Sequence, residues 1–271
     1  MLETMAFAAP ALLVLLALDA LRHPRDATTG ARREVRLLLA ARIFSVFLFA
    51  GNLARGCRVP DHAGDTVLFM IVFGLTGLAA IELAPRLAGA ALRGFRKAAD
   101  QGNHAAATTL AAHSAAVGIQ VANLFAGTSW LDLGVAVAAF AVAQASLLLL
   151  VWAFRALTSY DDHAQILAGN LAAALSHGGL TIAMALLVAH ASDGEFDSAW
   201  SSLRDYGIAL AEGLLVYPLR QFVVQCLLLR ERPTLLGGGL DRAIGEQRDV
   251  GAGALEAATY IAAVLFVRSL V

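Results

Sequence analysis

The run Asn170-Leu-Ala-Ala-Ala-Leu-Ser-His-Gly-Gly decides how this chain folds. It opens on a polar residue suited to capping a helix and continues in small side chains, with the pair Gly178-Gly179 lying eight and nine positions beyond the Asn. The opening recurs at Asn103-His-Ala-Ala-Ala, with Ala111-Ala112 at the same offset, and more loosely at Asp249-Val-Gly-Ala-Gly, with Ala257-Ala258. Such a helix starts at a membrane interface and packs backbone to backbone, because in lipid small side chains let neighbouring helices approach closely. Ala174 with Gly178, Gly179 with Ala183, and Gly253 with Ala257 lie one turn apart, so these helices are expected at the centre of the bundle.

The rest of the composition agrees. The 271 residues are 59% hydrophobic and 15% charged, against roughly 45–50% and about a quarter in ordinary globular domains. One water-soluble core cannot hide that much apolar surface, so the bilayer is the expected partner. A net charge of −1 speaks against nucleic acid. Cys57 and Cys226 fall in unlike contexts and supply neither a disulfide framework nor a metal ligand set.

Apolar stretches long enough to span, about 17–25 residues each, run over 5–21, 35–53, 66–83 or beyond, 105–126, 131–154, 166–191, 206–229 and 250–271. The expected fold is therefore an all-α, polytopic membrane helical bundle of about eight transmembrane helices. The connections after the first, third, fifth and seventh stretches hold fourteen of the basic residues, among them Arg22, Arg86, Arg155 and Arg230, whereas the other side holds Arg55, Arg58, Arg204 and Arg268. The positive-inside rule then places the chain in a bacterial inner membrane with both termini outside the cytoplasm. The first stretch lacks a basic residue before it and is followed by Arg22, Arg25, Arg32 and Arg33, the opposite of a cleavable signal, so it reads as a retained helix.

Two helices return the chain to its starting side, so successive copies are parallel. Residues 61–271 divide into three tandem two-helix repeats (about 66–126, 131–191 and 206–271) related by rotation about the membrane normal. The hairpin within 1–60 shares the topology but lacks the polar-Ala-Ala opening, and is either a decayed fourth copy or an unrelated cap.

The Asn170 run preceded by Tyr160-Asp-Asp, together with the closing segment Gly245-Glu-Gln-Arg-Asp-Val-Gly-Ala-Gly-Ala-Leu-Glu-Ala-Ala-Thr-Tyr-Ile-Ala, resembles the domain of unknown function 350, the YjfL-type membrane family, over about residues 66–271. The resemblance implies a tandem two-helix membrane hairpin whose second helix opens on a polar-Ala-Ala motif. It implies no particular activity, and it brings an association with envelope-stress proteins.

Ionisable groups at membrane depth cost about 2.5–3.5 kcal/mol on insertion scales, so each needs a partner or a use. Asp19 with Arg42, and Arg220 with Glu256, are expected as ion pairs holding their hairpins shut. His177 and Glu256 occupy one repeat position, about 10 Å into their helices at 1.5 Å per residue. Near a common axis they would relay protons or bind a cation; the plainer reading is a hydrogen-bonded His. His113 is a further candidate, and Glu82 a weaker one because Arg86 follows at i+4. Glu212 stands out, since no cation in its own hairpin is placed to meet it: either it is protonated, or it faces water, or a group such as Gln120 or Asn123 supports it. Asn103, Asn170 and Asp249 are expected to cap their helices, or else to line a vestibule. Asp161-Asp162-His163 reads as a solvated loop rather than a metal site. No Walker, dinucleotide, zinc-protease or nucleophile-elbow motif is present, so neither enzyme activity nor a cofactor is expected. These residues suggest a channel, transporter or sensor for an ion or small solute. The alternative is a structural or signalling envelope module whose partners are a second copy or other envelope proteins.

Overall fold

A computed structural model of the chain describes residues 33–59, 62–89, 91–193, 198–228, 230, 232 and 237–270. The apolar stretch at 5–21, with Asp19 and its expected pairing to Arg42, lies outside the described residues. What is described is all-α: α1 (Arg33–Gly56), α2 (Ala63–Leu87), α3 (Phe95–Asp100), α4 (His104–Leu124), α5 (Trp130–Arg155), α6 (Asp162–Leu167), α7 (Leu171–Ala191), α8 (Ala199–Gly213), α9 (Val216–Gln221), a π-helical stretch Phe222–Leu228, α10 (Gly239–Gly245) and α11 (Val250–Leu270). Seven helices among the described residues are long and apolar enough to cross a membrane: α1, α2, α4, α5, α7, the interrupted helix Ala199–Cys226, and α11. The protein is therefore a polytopic all-α membrane bundle.

The closest packing joins α1 to α4, α4 to α7 and α7 to α11, which makes a row of the small-residue helices. Helices that cross in series alternate in sense, so the four in this row run the same way. Small residues explain the closeness. Gly118 of α4 lies against Ser45 of α1, Gly178 of α7 against Ala112 of α4, Gly179 against Ala257 of α11, and Gly253 of α11 against the backbone of Ala172. A row differs from the expected arrangement about a common axis, and it sends the two faces of α7 to different neighbours. Ser176 faces α11 and bonds Glu256, while His177, one residue on, turns toward the cavity it shares with His113.

Before α4, α7 and α11 the chain takes one shape three times. A helix of six or seven residues ends (α3, α6 and α10), a residue with positive φ follows, and a polar residue caps the long helix. The positive-φ positions are Gly102 (95°), Gly169 (80°) and Arg248 (55°). Glycine meets that geometry without strain, whereas Arg248 pays for a conformation that L side chains rarely adopt.

The caps do more than end helices. Asn103 Oδ1 accepts from the Ala106 amide at 3.0 Å, and its Nδ2 donates to the Ile166 and Leu167 carbonyls of α6, each at 3.0 Å. Asn170 repeats the arrangement, with Oδ1 accepting from Ala173 at 3.2 Å and Nδ2 donating to the Ile244 carbonyl of α10 at 2.8 Å. Each Asn thus caps its own helix and ties it to the short helix of the next segment. Asp249 opens α11, and its carboxylate accepts from the Gly251 and Ala252 amides. Asn170→Asp, which keeps the cap and removes the donor, is expected to lower stability in detergent by about 1–3 kcal/mol, while Asp249→Asn changes it by less than about 0.5 kcal/mol. Denaturant titrations of both variants that superimpose on wild type would show the Asn170 tie to be idle.

The α2 helix runs beyond residue 83, carries Pro85 in its last turn and stops at Leu87. One boundary differs from the sequence reading. The seventh crossing begins at Ala199 and is interrupted at Leu214–Leu215, with Pro218 in α9 and π-helical turns after it.

Candidate functional site

Glu256 is the centre of a buried polar network. It sits on α11 with 1% of its side chain exposed and is ion-paired with Arg220 of α9, which is 4% exposed. The Arg220 guanidinium also donates to Gln221 and lies 4.9 Å from the centre of the Tyr260 ring. Ser176 of α7 links this pair to a second one. Its hydroxyl donates to Glu256 Oε2 and accepts from Arg155 Nη1 at 2.9 Å. Arg155, at the end of α5, is ion-paired with Asp162 at the start of α6, and its Nη2 also donates to the Tyr160 hydroxyl at 2.9 Å. Burial pushes the Tyr160 phenol up from its ordinary pKa against the pull of Arg155, so Tyr160 stays neutral and acts as acceptor. Two acids and two guanidiniums, carried on α5, α6, α9 and α11, therefore balance one another through a single hydroxyl. Such pairing is what burial of these charges requires.

Beside this network lies a cavity of about 360 Å³. Leu147, Leu148, Val151 and Trp152 of α5 form one wall, Leu92 and Phe95 another, and His113 of α4 and His177 of α7 enter from the row of small-residue helices. Gly178 packs on Ala112, and this close approach sets the adjoining His177 and His113 side by side. Arg155, Tyr160 and Asp162 line the end nearest the connecting loops, where the His163 ring stacks on Phe95 with centroids 4.7 Å apart. His113 Nε2 and His177 Nδ1 are buried with no hydrogen-bond partner, an arrangement that native interiors rarely leave unexplained.

The other sequence candidates fall elsewhere. Glu212 is exposed on the outer surface of α8. The residues expected to support it are engaged inside the bundle: Gln120 bonds Gln144 and the Ala143 carbonyl, and Asn123 bonds the Ala189 carbonyl. Gly213, one residue on, packs against Leu187 of α7, and one step of 100° around the helix turns Glu212 away from that contact. Glu82 of α2 is ion-paired with Arg42 of α1 and reaches Arg86 at 3.4 Å. Leu110, at the repeat position of His177 and Glu256, is a buried apolar residue. In the Asp161-Asp162-His163 trio, Asp161 caps α6, Asp162 pairs with Arg155 and His163 stacks on Phe95. Among the described residues no group of three or more His, Cys, Asp or Glu is placed to hold a metal.

Sequence reading missed Arg155 and Ser176. Arg155 had been counted only as a topogenic charge at a helix end, and Ser176 only as a small residue. The usable signal was Asp162 seven residues beyond Arg155, a span that a tight turn into a capped short helix folds back on itself.

A row of tightly packed small-residue helices with paired charges among them defines a polytopic all-α membrane protein. The family model described as Domain of Unknown Function (DUF350) matches residues 128–271, more than half of the chain, and the chain belongs to that family. The matched part holds α5 to α11, including Arg155, Ser176, His177, Arg220 and Glu256; α1 to α4 precede it. No curated protein and no solved structure is similar to it at a significant level.

Proposed function

We propose that this protein binds a small solute in the cavity at His113 and His177 and carries it across the bacterial inner membrane, or senses it there, without catalysis. The observation that carries the reading is the cavity itself, set among helices otherwise packed to contact and lined by two imidazoles, each with one buried nitrogen that lacks a partner. The interrupted helix supports it. Broken, proline-bearing and π-helical turns inside a crossing occur where backbone borders a site rather than lipid, and here they lead directly to Arg220 and Glu256. The imidazoles also give solute binding a means of coupling to a proton.

In this reading residues 61–271 are built from three tandem copies of one two-helix repeat. The three recurring short-helix, positive-φ and cap sequences support it, and α1 packs on α4 as α4 packs on α7. Exposed Arg36, Arg93, Arg96, Lys97, Arg242 and Arg248 cluster in the segments leading into the row helices or at their starts, which supports a cytoplasmic side there and termini on the other.

The test is flux in proteoliposomes that enclose a pH-reporting dye. Wild type is expected to dissipate an imposed proton gradient faster than empty vesicles, His177→Leu to lose most of the excess, and Glu212→Gln to keep it. A wild-type rate no faster than empty vesicles would favour the second reading, a structural or signalling envelope module. That alternative draws on the closeness of the α4–α7–α11 seam and on charges that already satisfy one another.

A further inference from the structure

We infer that the cavity takes an uncharged single-chain amphiphile from the bilayer, its hydrogen-bonding head placed against His113 and His177 and its chain along α5. The inference rests on the reading of this cavity as a solute site and names the class of solute.

Charge decides the head. The ionised groups at the cavity's loop end are Arg155, Asp162 and Asp161; Arg155 and Asp162 are spent on each other, four of the five Arg155 N–H groups are committed to Asp162, Tyr160 and Ser176, and the Asp161 carboxylate accepts from the Ala164 amide as the cap of α6. An anionic head would therefore meet no free guanidinium edge of consequence and would lie near Asp161, while a cationic head would meet the Arg155 charge, with the solvent-exposed Asp161 as its one available lining acid. What the cavity does offer is His113 Nε2 and His177 Nδ1, buried and unpartnered. A neutral imidazole can present either a donor or an acceptor at a given nitrogen, so a hydroxyl or carbonyl head satisfies it and an alkyl chain does not.

The walls decide the body. Leu92, Phe95, Leu147, Leu148, Val151 and Trp152 make the cavity largely apolar, and 360 Å³ has room for about a dozen groups the size of a water molecule. That is a short chain rather than a sugar or an amino acid. Trp152 decides the route. It lines the cavity and is also 69% exposed, on a helix that spans the membrane with most of its surface unpacked, so the mouth it guards opens toward acyl chains. The loop end is bordered by the Phe95–His163 stack and the Arg155–Asp162 pair, with His163 and Asp161 themselves exposed. His113 lies ten residues beyond the Asn103 cap, about 15 Å along α4, and is the deep end of the site.

The experiment uses the full chain in lipid nanodiscs with a diazirine-bearing decanol, photolysed and mapped by mass spectrometry, in competition with plain decanol. Saturable labelling of the segments 91–95 and 147–155 is expected. It should fall about tenfold, the affinity that one buried hydrogen-bonded group supplies, in His113→Leu/His177→Leu. Ala91→Trp leaves both imidazoles in place and puts a large ring at an exposed position on the rim; it should block labelling to the same extent, which covers the event that the double His variant does not fold. Competition by decane as effective as by decanol would overturn the role of the head. Competition by decyl sulfate or decyltrimethylammonium exceeding that by decanol would overturn the uncharged class. Phenol competing at lower concentration than decanol would overturn the bilayer source in favour of a water-soluble ligand. Because labelling needs no flux, a saturable signal without transport refutes carriage and leaves this inference standing, whereas flux without saturable labelling does the reverse.

Discussion

Glu256→Ala is expected to destabilise the protein by about 3–5 kcal/mol, the cost of leaving a buried guanidinium without its counter-charge. Arg220 is 4% exposed and has no water to turn to. Ser176 would lose the acceptor for its hydroxyl, and with it the link to Arg155. Arg220→Met is expected to cost a similar amount, because it strands the carboxylate instead. The double variant Arg220→Met/Glu256→Met removes both charges and keeps the volume, and should recover most of the loss. Denaturant titration of the purified protein in detergent reads all three. Single variants within about 1 kcal/mol of wild type would mean that the pair is hydrated and contributes little, as exposed pairs do. In the proposed function the double variant separates two roles: a pair that only holds helices together leaves proton flux intact once stability returns, while a pair on the proton path abolishes it.

How much of this was legible in the sequence depends on whether an interaction is local. The caps were legible because a capping residue, its helix start and the amides it serves lie within four positions, so Asn103, Asn170 and Asp249 announce themselves. The second task of Asn103 and Asn170 was not, since it depends on where the next short helix comes to rest. The Arg220–Glu256 pair was legible because both residues lie near one end of adjacent crossings and each needs the other. Arg42 was expected to meet Asp19, and its pairing with Glu82 depends on how α1 and α2 pack, which the sequence does not state. The setting of Glu212 stayed open in the sequence for a related reason. Depth along a helix can be counted from the sequence, but the face a residue presents depends on which neighbours pack there, and α8 touches α7 through Gly213 rather than through Glu212. On α5, likewise, Leu147 is fully buried against the cavity while Leu149, two residues on, is 61% exposed, a difference that the unbroken apolar run does not reveal.

The same substitution, glycine to alanine, should carry opposite signs at different places in this fold, and the contrast tests the row directly. In lipid no hydrophobic force draws α7 to α11, so contact dispersion has to hold them, and that contact depends on the absence of a methyl group. A Cβ at Gly179 would overlap the Ala257 backbone, and one at Gly253 would overlap the Ala172 carbonyl. Neither obstacle is a flexible side-chain end, so the helices must separate. Separation would loosen the Ser176–Glu256 bond that crosses this same interface. Gly179→Ala and Gly253→Ala are each expected to destabilise by about 1–3 kcal/mol, after the gain of about 1 kcal/mol that alanine brings to a helix interior. The two together should exceed that range, because both open one seam. At Gly51 of α1 and Gly134 of α5 nothing lies within 4 Å of an added Cβ, and there alanine is expected to stabilise by about 0.4–1 kcal/mol through a less mobile unfolded chain. If all four substitutions moved stability the same way, helix propensity would be the governing term, and the close α7–α11 seam on which the placing of Ser176 and Glu256 depends would have to be abandoned.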